Sequence, residues 1–225
     1  MLQLHKHAIK GVIFISILML WASCATNPMT GRKSLNILPA SQMNAMSVTS
    51  YQEFLNENNV DNSSRNSQLV REIGVNIQKA TESYYRQNEM ADKLEEFDWT
   101  FNLVTENTVN AWCMPGGRVV VYSGILPVAQ NTDGLAVVMG HEIAHALAHH
   151  GNERMSQGLV TQLGGIGLAL AIKDKPAETQ NIFSTAYGLG SQFAVILPFS
   201  RKHETEADHM GLILMAMAGY DPTQA

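Results

Sequence analysis

The chain has 225 residues, 45% of them hydrophobic and 16% charged, with a net charge of −5; this is the balance of a folded domain with a real core, not of a disordered chain. Two cysteines exclude a disulfide framework, and without a basic cluster to neutralise phosphates nucleic acid is excluded as a partner. Lys6 and Lys10 are the basic residues of the first 24, so the remainder is more acidic still, at about −7.

Residues 1–24 read as a signal peptide. Lys6 and Lys10 precede an apolar run over 11–22, about 12 residues against the roughly 20 that a spanning helix needs. The run ends Trp21-Ala22-Ser23-Cys24, which resembles the lipobox of bacterial lipoproteins and marks Cys24 for lipidation. Trp21 departs from that pattern, which usually has Leu, Val or Ile there. Ala25 after the cysteine, in place of Asp, resembles lipoproteins sorted to the outer membrane. With Cys24 acylated, Cys113 has no partner and reads as a small core residue. Residues 25–39, rich in Pro, Gly and polar side chains, are expected to be a tether, and 40–225 the domain.

Two helices follow, over 41–57 and over 66–90; in the second, Leu69, Ile73, Ile77, Ala80 and Tyr84 recur at spacings of three and four. Phe97, Trp99, Phe101 and Leu103 alternate with polar residues as a half-buried strand. Two more strands, 108–114 and 118–122, flank the Pro115-Gly116-Gly117 turn. A helix over 134–150, capped by Asp133, is apolar on every side and is expected to be central. Beyond it, the apolar segments 158–172 and 182–199 flank a polar stretch over 173–178. Both are below spanning length and contain Gln162, Ser191 and Gln192, which favours a buried helical hairpin over a re-entrant membrane hairpin.

The central helix carries His141-Glu142-Ile143-Ala144-His145. Residues four apart lie about 40° apart around a helix, so both imidazoles can face one metal ion. Glu142 sits about 100° round from His141, where a base for a bound water belongs. Composition alone gives roughly 0.02 such matches by chance. His149 follows one turn later but is not needed as a ligand, and His150 is expected to face solvent.

Residues 198–222 supply the second half. On a helix, Asp208 falls about 40° and Arg201 about 60° from Glu204, with Gly211 and Ala207 on the same side, whereas Glu206 lies near 200°. Two carboxylates one turn apart can share the work, Glu204 binding metal and Asp208 orienting a histidine. Glu206 is the alternative ligand. Three ligands of His₂Glu type leave a fourth position open, as catalytic zinc requires. Arg201 is the candidate donor to the oxyanion of a transition state, with His203, His209 and Tyr220 as alternatives. An extended substrate would pair with an edge strand beside the metal helix, either 108–114 or 118–122.

The pieces Asn110-Ala111-Trp112, Pro115 to Gly124, HEIAHALAHH, Ser200 to Asp208 and Ala218-Gly219-Tyr220-Asp221-Pro222 occur in that order. They resemble the zinc metallopeptidases that include the CAAX prenyl endopeptidases, the HtpX heat-shock proteases and the mitochondrial Oma proteases, peptidase family M48. The Asn-Pro-Met-Thr-Gly-Arg segment over 27–32 looks like the bacterial lipoprotein branch of that group. The resemblance implies an α+β, mainly helical gluzincin fold with a small sheet and a central HExxH helix. It also implies one Zn²⁺ on His141, His145 and Glu204, with Glu142 as general base. Members of the family usually continue for another helix or more past the Gly-Tyr-Asp-Pro segment, so a sequence stopping at Ala225 is expected to be either truncated or minimal.

The expected function is a zinc metalloendopeptidase acting on misfolded or extended envelope proteins. It would be anchored by lipid at the bacterial cell envelope, facing the periplasm, on the outer membrane. The rival from another class is a periplasmic chaperone or assembly factor with a largely structural zinc. A small-molecule metal amidase fits less well, because no dedicated pocket residues stand out.

Overall fold

Burial decides which of these segments become the frame. A computed structural model describes residues 24–192 and 196–225. The leader, and with it the apolar run over 11–22, lies outside the described residues. The described chain begins with a short antiparallel hairpin, β1 (Cys24–Thr26) and β2 (Lys33–Leu35). Helix α1 (Ala40–Glu57), β3 (Val60–Asp61) and α2 (Arg65–Gln87) follow. Next come β4 (Thr100–Val104), β5 (Ala111–Met114) and β6 (Arg118–Tyr122), then the single turn α3 (Leu126–Ala129). The rest is helical: α4 (Thr132–Leu147), α5 (His150–Ile172), α6 (Ala177–Ser191) and α7 (Leu197–Met217). The fold is α+β and mainly helical.

The sheet has the order β3-β4-β6-β5, with β4 and β6 parallel and the other two pairs antiparallel. All five residues of β6 are buried, as befits a strand covered on both faces. β5 and β3 are the two terminal strands. On α2, Ile73 and Ile77 of the predicted stripe are fully buried in the same core as Phe101 and Leu103 of β4, with Val70, outside that stripe, beside them, while Leu69 and Tyr84 are only partly buried. Its N-terminus is closed by Ser64, whose hydroxyl accepts from Ser67 N at 3.0 Å.

α4 lies in the middle of the molecule, as its all-round apolarity predicts, with Leu135, Ala136, Met139, Ile143, Ala144 and Leu147 buried. It packs on β5, α2 and α7. Its cap differs from the expectation: Asn131, not Asp133, closes the N-terminus, accepting from Gly134 N at 2.8 Å. Asp133 instead accepts from Asp221 N at 3.0 Å and ties down the C-terminal segment. The helix also ends earlier than expected. His149 takes a left-handed backbone (φ 56°) and separates α4 from α5.

Two further expectations are corrected. Residues 25–35 of the segment read as a tether belong to a folded hairpin whose loop docks on α7 through Asn27, Thr30 and Arg32. The apolar segments do form a helical hairpin, α5–α6, but it is not buried. Leu163, Ile166 and Leu170 of α5 are 51–67% exposed, as are Ile182, Phe183 and Leu189 of α6 at 52–61%. The hairpin projects past the core, so burial is not what makes it apolar.

Candidate active site

The site depends on how closely α4 and α7 approach. A Cβ on Gly140 would lie 2.9 Å from Gly211 O, and one on Gly211 would lie 2.8 Å from His141 N. The two helices therefore meet backbone to backbone, and Ala207, one turn before Gly211, is fully buried in the seam. This contact brings Glu204 and Asp208 of α7 beside His141 and His145 of α4.

The donor atoms converge. His141 Nε2 and His145 Nε2 are 3.0 Å apart, and one oxygen of Glu204 is 3.4 Å from the first and 3.6 Å from the second. A tetrahedral site with bonds of about 2.05 Å has ligand atoms about 3.3 Å apart, so the triangle has the right size. His141, His145 and Glu204 form a group able to hold a metal ion.

Hydrogen bonds behind the rings orient the two imidazoles. His141 Nδ1 is 2.9 Å from Asp208 Oδ1; the nitrogen donates, which leaves Nε2 as a lone pair. His145 Nδ1 is 2.8 Å from His150 Nδ1, and His150 Nε2 is 2.9 Å from Glu206 Oε2. A neutral His150 must donate from Nε2 to that carboxylate, so its Nδ1 accepts from His145, and His145 Nε2 is also a lone pair. Burial, together with His150, His141 and Arg154 nearby, pushes the His145 pKa down to about 3, so the ring is neutral near pH 7. With both rings neutral, two lone pairs and a carboxylate face each other, an arrangement that a cation satisfies.

Glu142 is half-buried beside this triangle. Burial raises its pKa to about 7, His141 opposes the rise and Glu204 adds to it. A cation between His141, His145 and Glu204 would draw it back down.

Glu206 is not a ligand. It lies on the opposite side of α7, 7% exposed, and is fully engaged. It accepts from Asn27 Nδ2 at 2.8 Å, from Thr30 Oγ1, from Arg32 Nε and from His150. Burial alone would raise its pKa, but the bonds from His150, Thr30 and Arg32 bring it down to about 2. His150, expected in solvent, is fully buried and stacks on His203 with ring centroids 4.3 Å apart. His203 in turn sits 3.0 Å from Glu153, which also pairs with Arg32 at 2.8 Å. His203 thus faces this network and not the triangle.

Arg201 is exposed and has no hydrogen bond or ion pair to His141, His145 or Glu204 among the described residues. It lines a groove with Thr30, Arg32, Lys202 and His209 instead. The Tyr220 hydroxyl is held by Asn76 at 2.9 Å. Cys113 is half-buried on β5 and burial pushes its thiol far above the usual range. Cys24 enters only as the first residue of β1.

A small pocket of about 80 Å³ lies between the β5–β6 turn and the α4–α5 junction, lined by Cys113, Pro115, Gly116, His145, His149 and Arg154. Of the two strands that could present an edge there, β6 is enclosed by β4 and β5, and only β5 is terminal.

Sequence reasoning missed Asn27, Thr30, Arg32, His150, Glu153, His203 and Glu206 as one network. The signal was present in pieces: the 27–32 motif had no assigned purpose, and His203 and Glu206 share a helix face that excludes Glu204.

A central HExxH helix crossed at backbone contact by a helix bearing Glu204 and Asp208 defines a metallopeptidase-type domain. Residues 65–225 match the model of peptidase family M48, and the chain belongs to that family. Among curated relatives, the mitochondrial metalloendopeptidase OMA1 of Schizosaccharomyces pombe is 37% identical over 59% of this chain and 37% of its own length. The human mitochondrial metalloendopeptidase OMA1 is 26% identical over 94% of this chain and 40% of its own. The beta-barrel assembly-enhancing protease of Escherichia coli is 28% identical over 54% of this chain and 26% of its own. The chain thus spans well under half the length of these relatives.

Proposed function

We propose that this domain is a zinc-dependent endopeptidase that cleaves extended or misfolded protein segments at the cell envelope. The observation that carries the reading is the triangle of His141 Nε2, His145 Nε2 and a Glu204 oxygen, 3.0–3.6 Å apart, with Glu142 beside it. Those three residues would hold the ion. Zinc bound there would supply Lewis acidity, lowering the pKa of water and polarising a peptide carbonyl.

The chain's own residues do the rest. Asp208 and the His150–Glu206 pair fix the ring orientations before substrate arrives. Glu142 accepts the proton of the attacking water and returns it to the leaving amine. The free edge of β5 takes an extended segment by backbone pairing, and its end at Pro115 and Gly116 delivers that segment to the pocket beside His145. Recognition through the backbone favours unfolded chains over a narrow sequence motif.

The envelope location rests on the lipobox-like start, with Cys24 as the lipidated residue, and on a relative named for β-barrel assembly. A periplasmic face and an outer-membrane anchor follow from the same start, in the bacterial lipoprotein branch of the family. The test is a purified full-length chain assayed for bound zinc and for cleavage of an unfolded protein, beside Glu142→Gln. One zinc per chain, cleavage by the wild type and loss in the variant are the expected results. Stoichiometric zinc with no cleavage by either protein overturns the peptidase reading in favour of a chaperone with structural zinc.

A further inference from the structure

The α5–α6 hairpin has its residues distributed the wrong way round for water. Along α5, Met155, Leu159, Leu163, Ile166 and Leu170 recur at spacings of four, four, three and four, so they form one stripe. All five are exposed, by 38–67%. On the other helix Ile182, Phe183 and Leu189 are exposed, and Ile196 and Leu197 continue the apolar surface into α7. The seam between α5 and α6 is made instead of small and polar groups. The Tyr187 hydroxyl donates to Thr161 O at 2.7 Å, and a Cβ on Gly164 would lie 2.1 Å from that hydroxyl.

A helix pair in water buries its large apolar residues and turns polar ones outward. In lipid the driving force between apolar faces vanishes, and helices meet through small residues and hydrogen bonds while Leu and Ile face the tails. The hairpin follows the second rule. Its charges agree. Residues 155–172 and 179–200 contain no Asp, Glu, Lys or Arg. Eighteen helical residues extend about 27 Å, against a hydrocarbon core of about 30 Å. α5 is long and apolar enough to cross a membrane, with only 17% of its apolar window buried in the fold.

The tip between the two helices carries Lys173, Asp174, Lys175 and Glu178. At the base, Lys33 lines the cavity against α5 and α6, and Arg201 and Lys202 begin where the second charge-free run ends, with Lys202 5.3 Å over the Phe199 ring. A chain of net charge −5 thus presents cations where the apolar shaft begins, which complements an anionic headgroup layer.

We propose that the α5–α6 hairpin inserts into the hydrocarbon of an anionic bilayer, with Lys33, Arg201 and Lys202 at headgroup level. This places the α4–α5 junction, and so His145, next to the membrane, where unassembled membrane proteins present extended segments. Insertion is independent of peptidase activity and of acylation at Cys24.

The experiment uses the full chain with Cys24→Ser and Cys113→Ala, carrying one cysteine labelled with an environment-sensitive fluorophore at Ile166→Cys. A second protein carries it at Val128→Cys, which is exposed on α3, just before the N-terminal end of α4. Vesicles of phosphatidylethanolamine and phosphatidylglycerol contain lipids with a quencher midway along the tail. The expected result is a blue shift and strong quenching at 166 and neither at 128. The doublet Leu163→Gln and Leu170→Gln, at exposed positions that leave the fold intact by circular dichroism, should reduce quenching at least fivefold. Lys33→Glu with Lys202→Glu should weaken insertion into these vesicles but not into neutral phosphatidylcholine ones. Equal quenching at 166 and 128 overturns the proposal. So does a blue shift at 166 without vesicles that tracks a dimer in sedimentation, since a second copy would then cover the face.

Discussion

A histidine that binds metal needs a proton on one nitrogen and a lone pair on the other, and this site arranges that twice by different means. His141 is oriented by an exposed carboxylate, Asp208, while His145 is oriented through a fully buried imidazole, His150, backed by Glu206. The buried arrangement is the costlier to disturb, because nothing from solvent can replace it. Glu206→Gln is expected to weaken zinc binding about 10–100-fold, read by competition with a chromophoric chelator; unchanged affinity would mean that packing alone orients His145. The same groups set the acid response of the metal-free protein. His145 has a folded pKa of about 3 against 6.5 for a free imidazole, so between those values the unfolded chain binds a proton that the folded chain refuses. Stability must therefore fall as pH drops from about 6.5 towards 3. Glu206, at about 2 against 4.5, extends the loss from about pH 4.5 to 2. Urea midpoints measured across pH 7 to 3 should show this slope in the metal-free wild type and a shallower one in His145→Gln. A parallel pair of curves would refute the assignment.

At the scale of elements, one close contact does most to build the site. Gly140 and Gly211 let α4 and α7 touch, and either Cβ would press on the opposite backbone at under 3.0 Å. Gly211→Ala should cost about 1–3 kcal/mol as an overpacking change, seen as a lowered unfolding midpoint. Because the displaced atom is the His141 amide, the variant should also lose zinc affinity more than its stability loss explains, and Gly219→Ala, remote from the seam, should not. This contact was legible beforehand: helical angles put Gly211 and Ala207 on the Glu204 face, and the all-round apolarity of 134–147 put its partner in the core. Local signals read less well where distant chain decides. The segment 25–35 has tether composition, yet three of its polar side chains find one carboxylate 174–179 residues away, which no local pattern announces. His150 was misread for the same reason, since its burial depends on α5 turning back at His149 instead of continuing α4. The α5–α6 hairpin shows the opposite failure. Its apolar composition was plain, but composition says only that a segment avoids water, and not whether protein or lipid covers it.

At the scale of the whole molecule, the ion would join two elements far apart in sequence. His141 and His145 lie on α4, Glu204 on α7, and the exposed hairpin occupies the chain between them. Without the ion, the acceptor atoms of all three residues repel one another across 3.0–3.6 Å, so the α4–α7 seam should be the first part of the core to loosen. Zinc that binds the folded chain and not the unfolded one stabilises it by RT ln(1 + [L]/Kd), about 2.7 kcal/mol at a hundredfold excess over Kd. Removing it with a chelator is expected to lower the thermal midpoint by several degrees and to speed hydrogen exchange along α7 more than along α2, whose packing on β4 does not involve the site. Glu142→Gln should show the full zinc-dependent shift, since it leaves all three ligands in place. His145→Ala should show little or none. If Glu142→Gln lost the shift as well, Glu142 would belong to the metal's own ligand set, and the separation of base from ligands on which the proposed chemistry rests would fail.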